Sequence, residues 1–148
     1  MMSTTWVVVA DSSRARIFSA KTSTSALHEL ETLAHPEGRL HEQDISSDLP
    51  GKEMRNGQGG HAYEDEITPK DQETINFAKR IAGHLNEAYN AQKFHRLALV
   101  AAPAFLGVLR QQLPAQVNRV LCFDLNKNIT LQTPDEIRSH LPKSLPVV

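Results

Sequence analysis

The chain opens on a short apolar run, Trp6-Val7-Val8-Val9-Ala10. Its β-branched composition without polar alternation predicts a strand covered on both faces. Asp11-Ser12-Ser13 comes next, three side chains that hydrogen-bond nearby backbone in turns. Arg14 to Phe18 then reads as a second strand, making a hairpin with the first. Ala26 to Leu33 reads as a third, with Leu27, Glu29, Glu31 and Leu33 on one side and His28, Leu30 and Thr32 on the other. Residues 35–68 show little periodicity and carry Pro36-Glu37-Gly38, Leu49-Pro50-Gly51 and Asn56-Gly57-Gln58-Gly59-Gly60, so this stretch reads as one long loop. Loops of that length inside a domain are usually functional or disordered.

After the loop, the periodicity changes. Thr68 is a suitable N-cap, Pro69 suits the first helical position, and Asp71 stands where a capping-box acid would. Ile75, Ala78, Ile81, Ala82, Leu85, Ala88 and Tyr89 then recur at helical spacing, predicting a helix from about Pro69 to Gln92. Arg96 to Ala102 is a continuous apolar run of the kind found in central strands. Pro103 ends it, and Phe105, Leu106, Leu109 and Leu113 mark a short second helix. Arg119 to Asp124 reads as a further strand and Asn126-Lys127-Asn128 as a turn. Thr133-Pro134-Asp135-Glu136 is a capping box that opens a last helix to about Leu141. Pro142 and Pro146 then imply a loose tail. The order β-β-β, loop, α-β-α-β-α predicts an α/β domain with a mixed five-stranded sheet and flanking helices, resembling the ribonuclease H-like arrangement.

Size and composition fit one domain over residues 1–148, since 40% hydrophobic and 22% charged residues are ordinary globular values. A single cysteine, Cys122, makes no internal disulfide, so no oxidising compartment is implied. The apolar run Trp6 to Ala10 lacks a basic segment before it and is far shorter than the roughly 20 residues of a membrane helix. These features point to a cytoplasmic protein with no membrane partner. Charge is uneven. Residues 35–68 hold eight acids (Glu37, Glu42, Asp44, Asp48, Glu53, Glu64, Asp65, Glu66) against three bases (Arg39, Lys52, Arg55), a net of −5. The whole chain is at −1, so the remainder is at +4. A mildly basic body therefore carries an acidic loop.

Three segments together resemble the bacterial host attachment protein family. The first is Val8 to Phe18 (VVADSSRARIF). The second is the glycine cluster with His61-Ala62, then Thr68-Pro69-Lys70-Asp71 and Phe77-Ala78-Lys79-Arg80-Ile81. The third is Leu99 to Gly107 (LVAAPAFLG) with Thr133-Pro134-Asp135-Glu136-Ile137-Arg138. The resemblance spans nearly the whole chain. It implies a fold similar to the middle domain of archaeal and eukaryotic peptide-chain release factors. It also implies a link to attachment that, for a chain with no visible export route, is indirect.

Candidate chemistry is sparse. In the release factors a Gly-Gly-Gln loop precedes the long helix and helps water attack the peptidyl-tRNA ester. Here Gly57, Gln58, Gly59 and Gly60 precede the corresponding helix, though Gln58 has one glycine before it and two after. Gln58 is thus the one catalytic candidate, with the four residues together as a binding loop. Its acidic surroundings oppose entry into an RNA channel, and glycine-rich stretches are commonly plain flexible loops. Arg14 and Arg16 share one strand face and form the second binding candidate. With Lys79, Arg80, Lys93, Arg96 and Arg119 they would make a basic face if the fold united them.

Asp11 lies where ribonuclease H-like nucleases hold a metal-binding acid. Only Asp124 stands at another strand end to join it, so Asp11 reads as a turn residue and nuclease chemistry as a distant third. The seven histidines show no zinc spacing, and Cys122 reads as a small buried hydrophobe. No metal or cofactor is called for. Together these features describe an intracellular binding module, leaning away from an enzyme, with an unidentified protein partner. The alternative is a translation-linked factor acting at the ribosome or on tRNA through Gln58.

Overall fold

A computed structural model describes residues 4–35 and 69–145 of the chain. The thirteen residues Trp6–Phe18 set its organisation. Strand β1 (Thr5–Ala10) is buried along its whole length, as its unbroken apolar run requires. It pairs antiparallel with β2 (Arg14–Ala20) and parallel with β4 (Arg96–Ala101), with Val8 opposite Ile17 on one side and Leu99 on the other. Strand β3 (His28–Ala34) adds to β2 as an exposed edge, with a register irregularity between Ile17 and Phe18. Strand β5 (Leu121–Leu125) pairs parallel with β4 at the other edge. The sheet order is β3-β2-β1-β4-β5, and the mixed five-stranded α/β architecture expected from the sequence is the one observed.

Helices cover both faces. Helix α1 (Pro69–Asn90) lays Phe77, Ala78, Ile81, Ala82, Leu85 and Ala88 onto one face, against Trp6, Val8, Ile17, Leu97 and Leu99. Helix α2 (Pro103–Gln112) and the short α3 (Ala115–Arg119) complete that layer through Phe105, Leu109 and Val117. The opposite face carries Val7, Val9, Phe18, Ala98 and Val100. It is closed by Ile129, by Ile137 of α4 (Pro134–Ser139), and by Leu141 and Leu145. The alternation of β1 and β4 thus feeds two cores at once.

Three expectations change. Helix α3 was not anticipated; five residues with the single buried anchor Val117 are too few to show a period. Because α3 runs to Arg119, the last strand starts at Leu121 and not at Arg119. The tail is also not loose up to Leu145. The Leu145 side chain is 1% exposed, and its N–H donates to Ser23 O at 2.7 Å. Arg138 holds the same stretch, donating to Pro142 O (2.7 Å) and Lys143 O (2.9 Å), and to Ser25 O and Ser23 O across the gap. Pro142 stands past the end of the helix, and the arginine tethers the described residues beyond it. The capping box at Thr133 and Glu136 forms as expected. Thr68 and the loop it closes lie outside the described residues.

Candidate functional site

Strands β1 and β4 lie side by side and parallel, yet the chain leaves them in opposite directions. From β1 it turns into β2 on one side; from β4 it passes through α2 and α3 to β5 on the other. Such a divergence opens a crevice beyond the carboxyl ends of the two strands, where open α/β sheets place ligands. Here it is a cleft of about 550 Å³. Asp11, Ser12 and Ser13 line it from the β1–β2 turn, Asp71 and Thr74 from α1, and Ala102, Ala104, Phe105 and Val108 from the start of α2. Asn128 closes one end.

The turn that forms the floor is organised by Asp11. Its Oδ1 accepts from Ser13 N (2.8 Å), Ser13 Oγ (2.9 Å) and Arg14 N (3.0 Å). Its Oδ2 accepts from Thr130 Oγ1 at 2.8 Å. Burial pushes the Asp11 pKa up, but the hydrogen bonds from Ser13, Thr130 and Arg14 outweigh it and leave the carboxyl below its ordinary value. Asp11 is the turn residue its sequence context implied. It is also the tie between the hairpin and the 128–132 segment, through a partner more than a hundred residues away that no local signal could reveal. Thr130 is buried, and its Oγ1 also lies 3.0 Å from the side-chain amide of Asn128.

Arg16 performs the same joining from the neighbouring position. Its Nε and Nη2 form a bidentate pair with Glu29 (2.9 and 3.0 Å), and its Nη1 donates to Thr130 O (2.8 Å) and Gln132 O (2.6 Å). The Arg16 partner, more than burial, holds the Glu29 carboxyl below its usual range. Arg16 is therefore a structural clamp. Arg14 lies on the same strand face, beside Thr130, Leu131 and Gln132. The wider basic face is divided: Arg14 and Arg16 lie on the α4 side of the sheet. Arg80 lies on α1 against the other side, donating to Ala34 O.

The other candidates disperse. Asp124 pairs with Arg110 of α2 at 3.1 Å and does not line the cleft with Asp11. No group of three or more His, Cys, Asp or Glu that could hold a metal ion occurs among the described residues. Cys122 is half-buried rather than fully buried, its Sγ 3.4 Å from Leu97 O, and burial raises its pKa. His84 pairs with Glu31 at 2.8 Å, joining α1 to the edge strand. Gly57, Gln58, Gly59 and Gly60 lie outside the described residues. His35 N donates to Ser13 O at 2.9 Å, and Asp71 and Thr74 line the cavity.

No helix among the described residues is long and apolar enough to cross a membrane. A family model described as "Protein required for attachment to host cells" matches residues 6–141. No curated protein matches the chain. The matched span runs from the second residue of β1 past the end of α4, taking in the cleft and all of both cores except Leu145, and on that evidence the chain belongs to the family of proteins required for attachment to host cells.

Proposed function

We propose that this protein is a binding module acting inside the cell, that its ligand enters the cleft beyond β1 and β4, and that its contribution to host attachment is indirect. The observation that carries this reading is the cleft itself: a cavity at the point where the sheet's connections diverge, on a floor held rigid by the hydrogen bonds to Asp11. Pre-formed concave sites with a few fixed polar groups are where small ligands bind. Asp11 supports binding over catalysis, because both its oxygens are already engaged and neither is positioned as a base. The test is Ala104→Arg. Ala104 is exposed at the cleft mouth, so a long charged side chain there obstructs entry without disturbing either core. Cells carrying this allele, with normal protein level and melting temperature, should attach to host cells as poorly as a deletion strain. Full attachment would refute the cleft as the functional site.

A translation-linked role is the second reading. It is supported by the sequence order alone, in which Gly57, Gln58, Gly59 and Gly60 precede the helix that starts at Pro69. Ribosome pelleting from lysate at low and moderate salt, with and without deletion of Asn56 to Gly60, tests it. Pelleting that depends on those residues supports it, and an empty pellet removes it.

A further inference from the structure

Across the Asp11 turn from the cleft lies a second depression, and it does not depend on the cleft being the functional site. Two grooves of about 460 and 390 Å³ adjoin there and share Arg14, Thr130, Leu131 and Gln132. We propose that this trough binds a carboxylate borne on an apolar chain, with Arg14 pairing the carboxylate and Leu131 covering the chain.

The balance of donors and acceptors points this way. Nearly every acceptor around the trough is already used. Thr130 O and Gln132 O accept from Arg16, and the Asp11 carboxylate takes four donors, the Thr130 hydroxyl proton among them. Donors are left over. The guanidinium of the partly buried Arg14 makes no hydrogen bond or ion pair among the described residues. A guanidinium with no protein partner beside the groove offers a ligand that supplies acceptors a ready place. Charge then selects among anions. The first groove is lined by one acid and one base, Asp11 and Arg14. In the second, Arg16 is neutralised by Glu29. One negative charge matches the one open guanidinium in a planar bidentate pair, whereas a phosphate dianion would set surplus charge against Asp11. The apolar part of the ligand is inferred from Leu131, which borders both grooves and is 81% exposed.

Binding is read by two-dimensional NMR of the full chain, tracking the Arg14 side-chain N–H and the Leu131 methyls. The probes are hexanoate, hexanamide, inorganic phosphate, and the tripeptide acetyl-Ala-Leu-Leu as free acid and as C-terminal amide. The expected result is a saturable shift of both signals by hexanoate or the free-acid peptide, with hexanamide, phosphate and the amidated peptide at least about tenfold weaker. Whichever free acid binds more tightly identifies the source as a small aliphatic acid or a peptide terminus. Arg14→Gln should weaken binding by at least about tenfold, and Leu131→Ser should weaken it with Arg14 intact. Neither side chain supports the core, so both variants should melt like wild type. Ala104→Arg should leave this binding unchanged, which separates failure here from failure of the cleft. Equal shifts by hexanamide or phosphate, or undiminished hexanoate binding by Arg14→Gln, would overturn the proposal.

Discussion

Replacing Asp11 tests whether the β1–β2 turn is held by charge or by chain geometry alone. Its carboxylate accepts four hydrogen bonds, two from backbone N–H groups and two from hydroxyls. A hydrogen bond to a charged group contributes roughly 1.5–3 kcal/mol, but four on one carboxylate are not additive, and water from the cleft can partly replace them. Asp11→Ala should therefore cost about 3 kcal/mol. Asp11→Asn keeps one acceptor oxygen and loses the charge, and should cost about half of that. For a chain of this size each kcal/mol lowers Tm by roughly 2–4 °C, so the alanine variant should melt about 6–12 °C lower.

Acid titration gives the sharper reading of the same variants. The Asp11 pKa is lower folded than unfolded, so its contribution is complete above the ordinary carboxylate value of about 4 and is lost as pH falls through the lower folded value. Urea unfolding from neutral pH into that acid range should show the wild-type advantage over Asp11→Asn shrinking with acidification. A residual acid dependence should persist in the variant, because Glu29 is depressed in the same direction. A gap that stays constant with pH, or an alanine variant as stable as wild type, would refute the electrostatic account.

The remaining expectations concern other joints of the fold. Arg138→Met should cost about 2 kcal/mol by removing donors to four backbone carbonyls; hydrogen exchange at the Leu145 amide should speed up more than at β1. Leu99→Ala, at a fully buried position of the interior strand β4, should cost about 3 kcal/mol in chemical denaturation. Gln92 takes a left-handed conformation (φ 62°) just past α1, so Gln92→Gly should stabilise by about 0.5–1 kcal/mol. Cys122 should react with maleimide more slowly at neutral pH than a free thiol and accelerate as pH rises, because burial holds it protonated.

The order and type of the elements with strong local signals were legible in the chain before any fold was known. The apolar run of β1, the helical stripe of α1 and the capping box at Thr133 each express a period or a turn preference within a few residues, and each stands where the pattern placed it. Family membership was legible too, because it rests on several such segments in order. Folding settled everything made of contacts distant in the chain. Arg14 and Arg16 look equivalent in sequence, two residues apart on one strand face, yet their roles diverge. The assembled sheet delivers Glu29 and the 130–132 carbonyls to Arg16 and leaves Arg14 beside an open groove. Asp11 read as a turn residue and is one, but its bond to Thr130 also makes it the link between the hairpin and the far end of the chain. The 141–145 tail obeys the same rule: proline marks it as non-helical, while a buried leucine and the reach of Arg138 decide that it is tethered. Local backbone preferences act over a few residues and leave their mark in the sequence. Burial and hydrogen bonding act between whatever surfaces the completed sheet brings together, and those pairings exist only once it has formed.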